Sequence, residues 1–264
     1  MRKLGLTITV LFLVVGLTVS LSAFAQSDPK HGGTLKAAFT ASPPTLDPHK
    51  TTNTITQQVV SHIFEPLFAF DGTFEVQPIL VSSWERSEDK LTYTFTLREG
   101  VKFHNGQPLT AEDAKASLWR IIEESPISGY YKQVDEIEVV DDLTFKIQLK
   151  EPTNLMSAMK IQVTWQGIMP KEYAEKREEL SADELVGTGP FELADWEPEV
   201  EIVLNKFEDY KSPAGEPSGF AGEKTPYLDE VVIYPVKEVG TRVSGLETGE
   251  YDYGAALPTT KFQT

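Results

Sequence analysis

The most chemically suggestive short pattern in this chain is Ser157-Ala158-Met159-Lys160, in which a lysine one helical turn from a serine could draw the proton from its hydroxyl and make it a nucleophile. The serine enzymes built that way carry two further motifs, Ser-Asp-Asn and Lys-Thr-Gly, and neither follows here. An exported serine hydrolase using Ser157 and Lys160 is therefore the lesser reading. Gly222-Glu223-Lys224-Thr225 resembles the end of a phosphate-cradling loop, but Glu223 stands where a glycine is needed and Pro226 blocks the helix that should follow. A transition-metal site has little to work with: His31, His49, His62 and His104 fall at no helical spacing and the chain has no cysteine. The expectation is no metal, no cofactor and no catalysis. The abundant acidic residues offer no two that spacing singles out as an acid and base pair, so they read as solvated surface.

The elements that would position any site are clearer than the site. In residues 91–97, Leu91, Tyr93, Phe95 and Leu97 alternate with polar neighbours, the period of a half-buried strand. Gly100 and Asn105-Gly106 mark turns. Thr110 with Asp113 three residues on is a helix-capping pair, backed by the apolar stripe Ala114, Leu118, Ile121 and Ile122 and stopped by Ser125-Pro126. Residues 33–39 read as a first strand, and residues 51–68, polar and then apolar, as a helix. Residues 134–140 and 143–150 read as a strand pair turning at Asp141-Asp142, and residues 171–184 as a charged surface helix. Two further strands are expected at residues 191–196 and 200–207. The Pro- and Gly-rich residues 211–225 are a surface loop by composition. Gly187-Thr188-Gly189-Pro190 is a natural boundary, because glycine tolerates unusual dihedrals and proline fixes the direction of exit. Strands and helices alternating in this way predict an α/β class.

Arg2 and Lys3, an apolar run over residues 4–21 and then Ala23-Phe24-Ala25 before Gln26 have the build of a secretory signal peptide cleaved after Ala25. Without cysteine, neither a lipid on a new N-terminal cysteine nor a disulfide can form, so an exported product would be soluble and stabilised by its core. The formal charge of −16 argues against nucleic acid or an anionic membrane as partner, since both call for basic patches.

A family resemblance rests on Leu97-Arg98-Glu99-Gly100-Val101-Lys102-Phe103-His104-Asn105-Gly106 and Leu109-Thr110-Ala111-Glu112-Asp113. Pro44-Thr45-Leu46-Asp47-Pro48, Phe64-Glu65-Pro66-Leu67, Gly187-Thr188-Gly189-Pro190-Phe191 and Tyr227-Leu228-Asp229-Glu230 support it in the required order. The sequence resembles the extracytoplasmic solute-binding proteins of ABC importers, in the family that binds dipeptides, oligopeptides and nickel. That resemblance implies a two-lobed α/β periplasmic-binding-protein fold of type II with a mixed sheet. It implies that residues 26–62 and 186–258 form lobe I around a family-specific subdomain at 63–185. It also implies that 259–264 are the truncated start of a second lobe absent from this sequence. The implied product is a periplasmic monomer without a lipid anchor that delivers a short peptide to an inner-membrane ABC permease; a ligand-binding sensor domain is the other alternative.

The same resemblance maps the ligand wall onto Thr51, Thr52, Asn53 and Gln57, onto Tyr130 and Tyr131, and onto Trp165 and Gln166, with a hinge at Gly187, Thr188 and Gly189. An ordinary polar helix start would look the same at the first four, and a core role suits one of the tyrosines equally. Trp84 and Trp119 read as packing residues. Residues 211–225 depart from the family pattern as an insertion.

Overall fold

In a computed structural model, residues 29–159 and 165–259 are described. The signal-peptide region and Lys160 lie outside the described residues. His31–Thr264 gather into one compact unit, distinct from Met1–Lys30, and the description concerns the former.

The chain enters through β1 (Thr34–Phe39) and reaches α1 (Thr54–Val60) after a proline-broken loop. A short antiparallel pair follows, β2 (Phe68–Phe70) with β3 (Val76–Pro78), then β4 (Val81–Arg86) and β5 (Thr92–Leu97). Next come α2 (Ala111–Glu124), β6 (Val134–Val139), β7 (Thr144–Leu149), α3 (Leu155–Met159) and the single turn α4 (Lys171–Ala174). The chain then returns through β8 (Phe191–Glu197), β9 (Glu201–Lys206), β10 (Glu230–Pro235), α5 (Val239–Thr248) and β11 (Tyr253–Gly254).

These strands make two main sheets. The first, ordered β11-β1-β10-β9-β8, is mixed, with β1 parallel to both β10 and β11 while β8 and β9 run antiparallel. The second, ordered β4-β5-β7-β6, is wholly antiparallel. In β5 every second residue is buried, which places Tyr93, Phe95 and Leu97 in the same apolar cluster as the stripe of α2. Each sheet has its own apolar cluster: one from Leu67 through Ile168 and Ala221, the other from Ala37 through Met169 and Ala255.

The expected capping of α2 is present: the Asp113 carboxylate accepts the Thr110 N–H at 2.8 Å and the Thr110 hydroxyl at 2.6 Å. Three expectations need correction. The helix expected over residues 51–68 stops at Val60, because Pro66 has no N–H to donate and disfavours helix at Glu65, and Phe68 pairs into β2 instead. The helix expected over residues 171–184 breaks into α4 and a 3-10 turn at Ala182–Glu184. The carbonyls of Lys176 and Glu178, which a helix would have used, accept from the Arg120 guanidinium, each at 3.1 Å. Trp84 is not a core residue: it lies on the edge strand β4, 45% exposed, stacked on Tyr93 at 6.2 Å. Trp119 does pack against the first cluster.

Candidate functional site

An open groove of about 590 Å³ runs over one face of the mixed sheet. Its floor follows from strand register. Leu35 sits beside Val231, and Ala37 lies between Ile233 and Tyr253, so alternate residues of three parallel strands pave one face. Phe39 closes the floor at the carboxyl end of β1, edge-on to Tyr253 at 6.3 Å. One wall is a face of α1 and the turn after it. Thr54, Gln57, Gln58, Ser61 and His62 recur at the helical spacing that brings side chains onto one side. The opposite rim carries Phe70 and Phe220, ring to ring at 5.1 Å and nearly perpendicular.

Among the described residues, no aspartate, glutamate, lysine or arginine lines this groove. Burial holds the His62 ring below its ordinary value, so it is neutral at neutral pH. One polar atom in the wall stands out: Gln57 Nε2 is buried with no hydrogen-bond partner. A buried amide left unpaired costs about 1–3 kcal/mol, which a ligand's acceptor would recover. The floor runs along the parallel strands from Leu35 and Val231 to Phe39 and Ile233. It can hold an uncharged, largely apolar group and offer it one or two hydrogen bonds.

The residues expected to form the ligand wall do not share one surface. Gln57 lines the groove. Asn53 is the cap of α1, its side-chain oxygen accepting from the N–H groups of Ile55 and Thr56 at 2.9 and 3.2 Å, while Thr51 accepts from Asn53 N–H. Thr52 is exposed. Tyr131 and Gln166 are buried partners, the phenol donating to Gln166 Oε1 at 2.5 Å and Gln166 Nε2 donating to the Ala158 carbonyl. Burial pushes the Tyr131 phenol far above its ordinary value. Tyr130, 56% exposed, and Tyr131 line a separate cavity of about 180 Å³ that also includes Ser157. Trp165 packs against the first apolar cluster. Ser157 itself is exposed, with Lys160 outside the described residues. Sequence reasoning passed over Thr54, Gln58, Ser61 and Phe220. The first three were reachable by stepping helically from Gln57.

The segment expected to be a hinge is a tightly packed junction. Gly187 and Gly189 do not take left-handed dihedrals. Their role is close approach: a Cβ at Gly187 would sit 2.0 Å from the Ile63 carbonyl oxygen, and one at Gly189 2.3 Å from that of His62. His104 bridges the junction, Nδ1 accepting from Gly187 N–H at 3.3 Å and Nε2 donating to the Gly189 carbonyl at 3.0 Å. Burial pushes the His104 ring down to about 4. Thr188 donates to buried Glu65, which also accepts from the Tyr210 hydroxyl at 2.8 Å and pairs with Lys224 at 3.3 Å. Nearby, Asp47 and Arg120 form a fully buried two-pronged ion pair at 2.8 and 2.5 Å. Burial alone would raise the Asp47 carboxyl, but hydrogen bonds and charge from Arg120 hold it below the ordinary carboxylate value. Among the described residues no cluster of three or more His, Cys, Asp or Glu side chains could hold a metal.

Residues 75–264 match the family model of bacterial extracellular solute-binding proteins, family 5 Middle. The chain is 31% identical over 247 residues to the glutathione-binding protein GsiB of Salmonella paratyphi A, covering 92% of this chain and 46% of that protein. Among solved structures it resembles the Helicobacter pylori periplasmic binding protein DppA in complex with peptide STSA. That likeness has a TM-score of 0.75 and 29% identity, over 89% of this chain and 48% of the other. It also resembles AgaA of A. tumefaciens R10 in complex with agropinic acid, with a TM-score of 0.70 and 31% identity, over 83% of this chain and 43% of the other. The chain thus spans about half the length of the relatives it matches, and its mixed α/β architecture is the one they share.

Proposed function

Because the chain belongs to the bacterial extracellular solute-binding proteins of family 5, we propose that it captures a short peptide or peptide-like solute and delivers it to the permease of an ABC importer. The groove over the mixed sheet is one wall of the binding site. A second lobe of the whole protein closes over it, so that contacts from both sides favour the closed state. The observation that carries this reading is the unpartnered Gln57 amide in a groove with no charged side chain among its described lining residues. Such a wall takes the uncharged middle of a solute and leaves charged ends to other groups. The ligands of relatives, glutathione, a tetrapeptide and agropinic acid, support a small peptide or peptide-like solute.

The role is binding without turnover, as a monomer. Export by the N-terminal segment with cleavage after Ala25, and a periplasmic location without a lipid anchor, complete the reading. Residues 26–62 and 186–258 form lobe I and 63–185 the inserted subdomain; the two sheets' separate apolar clusters support this in outline, although Phe64, Met169, Ala174, Leu180 and Leu185 pack with the mixed sheet and Ala221 with the other. Mass spectrometry of what co-purifies with the protein is the test. A retained peptide-like molecule, held about tenfold less tightly by Gln57→Leu, is the expected result. A retained sugar, or equal retention by the variant, would overturn the reading.

A further inference from the structure

We propose that the 211–225 loop makes the Phe220 rim of the groove a subsite for a bulky apolar side chain of the solute, with Phe220 as its specificity-determining wall. This rests on the reading of the groove as the solute site.

By composition the loop should be loose, with Pro213, Gly215, Pro217, Gly219 and Gly222 inside fifteen residues. It is instead tied down along its length. Arg98 donates to the carbonyls of Ser212 and Lys211 at 2.9 and 3.1 Å, and Lys211 Nζ returns a bond to the Glu99 carbonyl. Gly72 N–H donates to the Ser218 hydroxyl, and Phe220 N–H to the Phe70 carbonyl at 3.0 Å. Ala221 is buried in the apolar cluster, and Lys224 pairs with Glu65. Gly219 takes φ 59°, and a Cβ there would lie 2.6 Å from the backbone of Asp71, so no other residue fits at that point. The residues on both sides of Phe220 are thereby fixed, and the ring is presented with its ordering entropy already spent.

The ring so held is not used to fill the core. Phe220 remains 47% exposed at the rim, its ring edge-on to Phe70, which stacks in turn on the exposed Phe74 at 5.6 Å. Leu35 and Val231 of the floor line the same groove, and among the described residues no charged side chain lines it. From Leu35 to Phe39 the floor runs about 13 Å, the span of an extended peptide of about four residues. A peptide laid along it with its polar backbone near Gln57 therefore brings a side chain against Phe220, where only an apolar group is compatible with the lining.

The experiment compares two defined probes, the tripeptides Ala-Phe-Ala and Ala-Ala-Ala, by calorimetry on the full chain, with Tm measured alongside. The wild-type protein is expected to prefer the phenylalanine peptide. Phe220→Ala should weaken that peptide about tenfold and leave the alanine peptide within about twofold, while Phe220→Leu should restore part of the preference. If both peptides weaken equally, or the preference survives in Phe220→Ala, the subsite is wrong while the solute reading stands. If the wild-type protein binds neither peptide, the peptide reading itself falls and the subsite with it. A large drop in Tm for both variants with unchanged peptide selectivity would show that polypeptide, not solute, covers this end of the groove, and would also overturn the proposal.

Discussion

Around Asp47 and Arg120 the chain answers every charge it buries, whereas in the groove beside Gln57 it leaves a buried amide unanswered. The Asp47 carboxylate receives both prongs of Arg120 and the N–H groups of His49 and Leu180, while the guanidinium also reaches the carbonyls of Lys176 and Glu178. Such saturation is what a charge needs to survive without water, and it ties β1's exit loop, α2 and the segment after α4 into one joint. Gln57 Nε2 has none of this. His49 Nδ1, beside Asp47, is also buried without a partner, so what distinguishes the Gln57 amide is its place in the wall of the groove.

The largest expected effect is on the saturated side. Arg120→Ala strands a buried carboxylate and should cost about 3–5 kcal/mol in urea unfolding, whereas replacing Asp47 and Arg120 together by apolar residues of similar volume should recover much of it. A single-variant cost under about 1 kcal/mol would mean that water reaches the pair and that the contrast is false. Acid comes next. The His104 ring is held from 6.5 down to about 4, so below pH 6.5 the unfolded chain takes up a proton that the folded chain refuses. Stability is therefore full above 6.5 and falls as the pH drops towards 4, by roughly 3 kcal/mol from this ring, after which the folded state is protonated too. His49, pushed down to about 3 by burial and then by the Arg120 charge, acts in the same direction. Thermal melts across that interval should show the loss, and His104→Gln should flatten it. Asn53→Ala, which removes the cap of α1, should cost about 1 kcal/mol in the same unfolding assay. Smallest of all, Gln57→Leu should change stability by no more than about 0.5 kcal/mol, or raise it, because it deletes a group with no partner to lose. A larger loss would place Gln57 among the structural groups.

Local pattern made much of the fold legible. Alternation at Tyr93, Phe95 and Leu97 located β5, and Thr110 with Asp113 located the start of α2, because those signals act within a few residues. The misreadings came from partners far away in sequence. Arg120 takes carbonyls from residues 176 and 178 and so breaks a helix that charge pattern alone favoured. Tyr131 and Gln166 look like polar ligand groups until each is found to satisfy the other at a separation of thirty-five residues. The glycines of the 187–189 junction were read for dihedral freedom, but the demand on them comes from the backbone of Ile63. Gln57 was legible by resemblance. Phe220 was not, because an aromatic in a Pro- and Gly-rich loop reads as surface unless the bonds pinning the loop are known.

The topology of β1 bears on the order in which the molecule assembles. Its hydrogen-bonded neighbours β10 and β11 begin at Glu230 and Tyr253, so Thr34 must wait for a residue 196 positions later before it can pair. The antiparallel sheet closes over much shorter intervals, β4 on β5 and β6 on β7 being consecutive strands. Loop-closure entropy and high contact order make the mixed sheet the slow, late element and the antiparallel sheet the early one. Until β10 at residues 230–235 is available, β1 and the floor of the groove have no strand to join. A chain emerging amino end first thus leaves β1 without a strand neighbour until residues 230–235 have followed it, long after the antiparallel sheet has all its strands.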